Sequence, residues 1–251
     1  MRRFLPLAAL TVAAGLALGG AVQAADAPKV FSPDQEQAIR EVVRNYLVSH
    51  PEVLMEAIQA LQEKQQAAEK DLRQKALVTH RRELDQDAAS PVAGNPKGNV
   101  TIVEFFDYRC PYCKSVSDRM FDTVKDDGNV RYVFKEFPIL GPESVFAAKA
   151  ALAARKQGKY VEFHRALMAV RGALDESAVM TLAKTVGLDA KRLREDMDGR
   201  DIAESLERNL KLAQALKIDG TPAFVVGDQL IPGAVSTESL KTLIDQTRKT
   251  N

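Results

Sequence analysis

The sequence predicts an α/β domain with a helical insertion, preceded by an N-terminal helical segment. Three observations carry this. A β-branched and aromatic run over 100–106 leads into a helical pattern and a second such run over 130–134, which together read as a βαβ unit. A block over 141–217 then carries helical patterns and almost no strand signal. Two short runs, 223–226 and 229–231, flank Gly227-Asp228 as a hairpin, and a last helix follows over 236–247.

Composition narrows the function classes. Of 251 residues, 45% are hydrophobic and 27% charged, which excludes a wholly disordered chain. Lys and Arg number 35 against 34 Asp and Glu, a net charge of +1 that offers no footprint for nucleic acid. The only cysteines are Cys110 and Cys113, so a disulfide-stapled secreted scaffold is excluded.

Residues 1–24 read as a secretory leader. Met1-Arg2-Arg3 is positive, 4–22 is apolar, and Val22 and Ala24 are small residues two apart, so cleavage is expected after Ala24 or Ala25. The competing reading is an uncleaved anchor. Loss of Arg2 and Arg3 with the leader takes the net charge from +1 to −1. The mature chain is therefore expected in an exported compartment, where disulfides persist.

Residues 25–90 read as a helical segment. Ser32 is the expected N-cap and Pro33 the first helical residue. Ile39, Val42, Val43, Tyr46 and Leu47 share one face, and His50-Pro51 breaks the helix. A second helix carries a narrow stripe of Leu54, Ile58, Leu61, Gln65, Ala68, Leu72 and Ala76. Such a stripe buries little alone. It either packs back on its own domain or associates with further copies. Two prolines and two glycines over 88–99 mark a boundary, with a linker at 91–99 and the main domain over 100–251. In that domain a helix over 111–125 turns Val116, Met120, Phe121 and Val124 inward. The insertion, about 141–200, begins a set of helical runs over 145–155, 160–170, 176–186 and 202–216, with glycines between them.

The chemistry lies in Cys110-Pro111-Tyr112-Cys113, which follows a strand and opens a helix. Unpaired N–H groups and the helix dipole there favour a thiolate at Cys110. Cys113 lies one turn on, within reach of a disulfide with Cys110. Pro111 sits where no N–H is needed. A low thiol pKa in the attacker plus a resolving thiol is the layout that thiol–disulfide exchange requires. Competing readings are half of a zinc site, a copper site and an inert structural disulfide. Zinc normally takes four ligands, and His50, His80 and His164 are remote in sequence. Gly220-Thr221-Pro222 ends the helical block. A cis Thr221–Pro222 bond would bring Thr221 backbone groups beside the cysteines, where a substrate strand can pair.

These features together resemble the DsbA family of thioredoxin-fold thiol–disulfide oxidoreductases. The resemblance rests on Val103-Glu104-Phe105-Phe106 before the cysteine pair, the helical insertion, and Gly220-Thr221-Pro222-Ala223-Phe224. It implies a thioredoxin fold needing no cofactor and no metal, with Cys110 as attacking thiol and Cys113 as resolving thiol. Pro222 would be the cis-proline, and Pro111, Tyr112 and Thr221 would meet substrate. Glu104 would shuttle protons for Cys113, with Lys135 as its suggested partner. The Pro-Tyr dipeptide stands where the best-known strong oxidant of the family has Pro-His, which implies a milder oxidant. The N-terminal helices resemble the ScsC-like branch, whose members oligomerise through such a segment and act as disulfide isomerases. The implied protein is a periplasmic homo-oligomer, a trimer being favoured, with more isomerase or reductase than oxidase character. Its partners would be unfolded or misfolded exported proteins with cysteines, and a membrane redox protein for recycling. The alternatives are a soft-metal binding protein using the cysteine pair, and a surface antigen in which the pair is vestigial.

Overall fold

A computed structural model describes residues 31–250; the leader expected over 1–24 lies outside the described residues. The core is a five-stranded sheet in the order β1-β3-β2-β4-β5. Its strands are β1 (Val92–Gly94), β2 (Val100–Phe106), β3 (Val130–Glu136), β4 (Ala223–Val226) and β5 (Gln229–Pro232). β2 and β3 run parallel, joined by α4 (Pro111–Asp127), and the other pairings are antiparallel. Both faces are covered, which is why β2 and β3 read as continuous apolar runs rather than alternating ones. On one face Val100, Ile102, Phe106, Tyr132 and Phe134 pack with Val116, Met120 and Val124 of α4. On the other, Val103, Phe105 and Val133 pack with Leu77, Leu84, Leu212 and Leu216.

The helical block comprises α5 (Pro142–Ala154), α6 (Tyr160–Ala169), α7 (Glu176–Thr185), α8 (Ala190–Met197) and α9 (Arg200–Ala215). Four of these fall where the patterns put them, and α8 is additional. It is eight residues long, mostly charged, capped by Asp189, and buries only Leu193 and Met197. Two apolar residues give too weak a periodicity to read. α10 (Thr237–Thr250) closes the chain on the α4 side, with Leu240 and Ile244 buried.

The chain divides into two units at Gln62/Glu63, within α2 (Glu52–Thr79). The described part of the first holds α1 (Pro33–Ser49) and the start of α2. Ser32 caps α1 as expected, in a reciprocal box with Gln35. No residue of α1 is buried, and Ile39, Val42, Val43 and Tyr46 are exposed.

The second unit begins well before the expected boundary. The stretch 91–99 is not a free linker, because Val92 pairs with Val133 and Gly94 with Arg131 across β1 and β3. Nor do residues up to 90 stand apart from the domain. Leu77 and Leu84, the latter on α3 (Arg81–Asp85), are 1% and 0% exposed in the second core cluster. Lys135 locks this segment down. Its Nζ donates to Glu83 O and Ser90 Oγ, both at 2.7 Å, and lies 3.3 Å from Asp87 Oδ2. A three-residue edge strand flanked by proline and glycine carries no periodic signal, so 88–99 reads as a hinge from sequence.

This boundary has a testable consequence. A chain beginning near residue 63 should unfold in urea at the midpoint of the mature protein. A chain beginning at residue 91 loses Leu77 and Leu84 from the core and strips Lys135 of its partners, a loss of at least about 3 kcal/mol.

Candidate functional site

α4 starts at the end of β2, with Cys110 as its N-cap and Pro111 at the first position. The Cys110 N–H donates to Asp107 O at 3.1 Å, closing the turn between strand and helix. Both cysteines are free thiols. Tyr112 points outward, 68% exposed. Cys110 is less open than a helix terminus suggests. It is 4% exposed, with the loop before β4 against it, and Cys113, inside the core on α4, is 0% exposed. That loop contains the cis Thr221–Pro222 bond. It sets Thr221 O 3.1 Å from Cys110 Sγ.

The two sulfurs have opposite environments. Cys110 is lowered to about 5, first by the Cys113 thiol, which donates to it, and then by the Thr221 side chain. The sulfur makes no full capping bond to α4, but the N–H groups of Cys113 and Tyr112 still favour its anion. Burial opposes all of these. As a thiol Cys110 donates to Thr221 O; as a thiolate it exchanges that acceptor for these donors. Cys113 is pushed far above the usual thiol range, first by burial, then by its bond to Cys110 and by the charge of Glu104. Only the N–H of Asp107 works materially the other way. At neutral pH the environment favours a thiolate at Cys110 and holds the proton on Cys113.

Glu104 is the acid set beside Cys113. Strand alternation sets it between Ile102 and Phe106 on the α4 face of the sheet, fully buried. The Tyr132 hydroxyl donates to its Oε2. Burial pushes its carboxyl up to about 8, the Tyr132 bond pulls back, and the Cys110 charge adds to the rise. Lys135 is not its partner. In the β2–β3 register Glu104 stands opposite Phe134 and Lys135 opposite Phe105, so Lys135 faces the other side of the sheet. Among the described residues no group of three or more His, Cys, Asp or Glu converges to hold a metal ion.

A DSBA-like thioredoxin domain model matches residues 101–245. The chain belongs to the DSBA-like thioredoxin family. A second model, the N-terminal domain of the copper resistance protein ScsC, matches residues 35–68. Among solved structures, a thioredoxin-like oxidoreductase from Silicibacter pomeroyi DSS-3 is 48% identical, covers 67% of this chain and 98% of its own, and has a TM-score of 0.66. Proteus mirabilis ScsC in a transitional conformation is 33% identical over 88% of this chain and all of its own, with a TM-score of 0.66. Disulfide bond formation protein D of Bacillus subtilis is 29% identical over 63% of this chain and 77% of that protein. Na(+)/H(+) antiporter NhaA 1 of Salinispora arenicola is 32% identical over 61% of this chain. The chain spans only 24% of that antiporter's length. The family is one of DsbA/ScsC-like thiol–disulfide oxidoreductases with a thioredoxin fold.

Two buried acids of this DSBA-like domain escape sequence reading. Glu136 ends β3 on the Glu104 face, and its Oε1 accepts from Tyr108 at 2.9 Å and Tyr160 at 2.8 Å. Burial pushes its carboxyl well above the usual range. Tyr108 also lies 3.0 Å from His164 Nδ1. Because its hydroxyl proton goes to Glu136, we assign the N–H to Nδ1. Burial holds His164 down to about 3, so it is a neutral core histidine. Asp107 is the other, with four hydrogen bonds to its carboxylate. The available signal was alternation for Glu136, two residues past Phe134, and spacing for Asp107, three before Cys110.

Two measurements check this site. Iodoacetamide labelling of the reduced protein should follow a titration with midpoint about 5 at Cys110, while Cys113 stays essentially unlabelled up to pH 9. For Glu104 the folded value lies above its ordinary 4.5, so the native state holds the proton that the unfolded chain releases. Its contribution therefore costs stability as pH rises from 4.5 through about 8, and vanishes below 4.5. Glu104→Gln should stabilise the reduced protein by on the order of 2–4 kcal/mol at pH 8 and by almost nothing at pH 4.

Proposed function

We propose that this protein is an exported, periplasmic thiol–disulfide oxidoreductase that acts more as an isomerase or reductase than as a strong oxidase. The observation that carries the reading is the asymmetry of the pair, Cys110 lowered to about 5 and Cys113 raised beside a buried acid. The Cys110 thiolate attacks a sulfur of a substrate disulfide, forming a mixed disulfide and releasing a substrate thiolate. A second substrate thiol can then displace Cys110, which rearranges the substrate with no net redox change. Otherwise Cys113 passes its proton to Glu104 and attacks Cys110 Sγ; the substrate sulfur leaves with the electron pair, and Cys110–Cys113 becomes a disulfide.

The charge of Glu104 is timed to this sequence. In the resting enzyme the Cys110 thiolate disfavours its ionisation. Once Cys110 is bonded to substrate that charge is gone, and Glu104 ionises more readily when Cys113 needs a base. Pro111 and Tyr112 on one side, Thr221 and Pro222 on the other, frame the Cys110 sulfur and are the proposed substrate contacts. The Pro-Tyr dipeptide places no cation between the cysteines, which supports a milder oxidant.

The N-terminal helices support assembly. Ile39, Val43, Tyr46, Leu54, Ile58 and Leu61 are exposed large apolar residues, and the ScsC N-terminal match covers them. Association of copies, a trimer by the family resemblance, would surround a misfolded substrate with several thiols and raise their effective concentration. A membrane redox protein would return the pair to the dithiol.

The test uses trapping and assembly together. Cys113→Ser should accumulate mixed disulfides with unfolded cysteine-containing proteins, and Cys110→Ser should not. Removing residues 25–62 should give a monomer by light scattering that keeps dithiol oxidation and loses most isomerisation of scrambled ribonuclease. Equal trapping by both variants, or a mature protein that is monomeric, would overturn the mechanism or the assembly respectively. Stoichiometric copper retained after reducing purification would favour the soft-metal alternative.

A further inference from the structure

We propose that Asp107 is the positioning residue of the resolving cysteine: its carboxylate fixes the turn 107–110 so that its carbonyl holds the Cys110 N–H and its own N–H lies against the Cys113 sulfur. The proposal rests on the disulfide-exchange reading above. The side chain is buried and fully occupied. Oδ1 accepts from the Arg109 N–H at 2.7 Å and from Ser144 Oγ at 2.8 Å. Oδ2 accepts from the Ile139 N–H at 2.9 Å and the Leu140 N–H at 3.0 Å. Three separate pieces of chain are thereby tied to one carboxylate: the loop into α4, the loop after β3, and the start of α5. A buried group with this many satisfied bonds is costly to disturb, since each orphaned donor loses its partner without regaining water.

The backbone of the same residue touches the chemistry. Its carbonyl accepts from the Cys110 N–H at 3.1 Å. Its N–H lies against the Cys113 sulfur and favours the anion there. In the resolving step Cys113 loses a proton to Glu104, and its thiolate attacks Cys110 Sγ. The Cys110–substrate bond breaks, the substrate sulfur takes the electron pair, and solvent protonates it. Negative charge passes through the Cys113 sulfur, which is the atom the Asp107 N–H faces. An N–H held in place beforehand stabilises that charge without reorganising. Attack by Cys110 draws instead on Cys113, Thr221 and the start of α4. Asp107 should therefore govern resolution and leave attack nearly untouched.

Asp107→Asn preserves size, but its amide nitrogen cannot accept, so two of the four donors lose their partner. Full-length protein carrying a mixed disulfide with a fluorescent peptide is prepared at Cys110, and peptide release by Cys113 is followed in a single turnover. Release should slow about tenfold in Asp107→Asn, while labelling of Cys110 by iodoacetamide changes by less than about threefold. Ser144→Ala, which removes one donor from α5, should slow release by about two- to threefold. A folded Asp107→Asn that releases peptide at the wild-type rate overturns the proposal, as does one that loses attack and release equally. Should Asp107→Asn fail to fold, an unchanged release rate in Ser144→Ala overturns it. Wild-type protein that forms no mixed disulfide overturns the exchange reading as well, so the two failures are distinct.

Discussion

A sheet covered on both faces leaves no water for the polar side chains its strands carry, and the site is built from that constraint. Three carboxyl or ammonium side chains of β2 and β3 are buried: Glu104, Lys135 and Glu136. Each meets burial differently. Lys135 keeps a charged partner, because its face of the sheet lies under the segment that brings Asp87, Ser90 and the Glu83 carbonyl to it. Glu104 and Glu136 find no cation and settle for tyrosine hydroxyls, from Tyr132 on one side and Tyr108 and Tyr160 on the other. A carboxyl bonded only to hydroxyls in a dry interior holds its proton to unusually high pH. What costs stability at Glu104 is what brings its carboxyl up to about 8, the property its proposed role as base for Cys113 depends on.

The same geometry divides the labour of the cysteines. One helical turn separates them, yet Cys110 stands at the helix mouth among donors and Cys113 lies inside the core beside an acid. The Thr221–Pro222 loop lies over Cys110 and sets the Thr221 carbonyl beside its sulfur. Asp107 holds the floor of this arrangement. The reactive difference between two chemically identical thiols is thus a property of depth along α4, not of residue type.

The N-terminal region follows another logic. The end of α2, α3 and the segment after it contribute Leu77, Leu84 and the partners of Lys135, so they belong to the second unit. Among the described residues, those over 31–61 carry large apolar side chains that are exposed. An apolar face of that extent has a cost in water unless something covers it, which is why copies of the chain are the proposed partner.

Much of this was legible in the sequence. Continuous apolar runs gave β2 and β3, the Pro111 and Ser32 positions gave helix starts, and the cysteine spacing on one helix turn gave the reacting pair. Glu104 was marked by the resemblance to the DsbA family, as an acid six residues before Cys110. These are local signals: a propensity, a cap, a period, a spacing. β1, α8, the true boundary of the catalytic unit, and the roles of Lys135, Glu136 and Asp107 were not legible. β1 is a strand only because β3 offers it an edge, and Lys135 finds Asp87 rather than Glu104 because register assigns it to the opposite face. The sequence by itself determined where the cysteine pair and the cis-proline segment lie and which segments are helix or strand. Only the tertiary structure decided how acidic each group is and which partner it meets, because burial and hydrogen bonding are set by segments far apart in the chain.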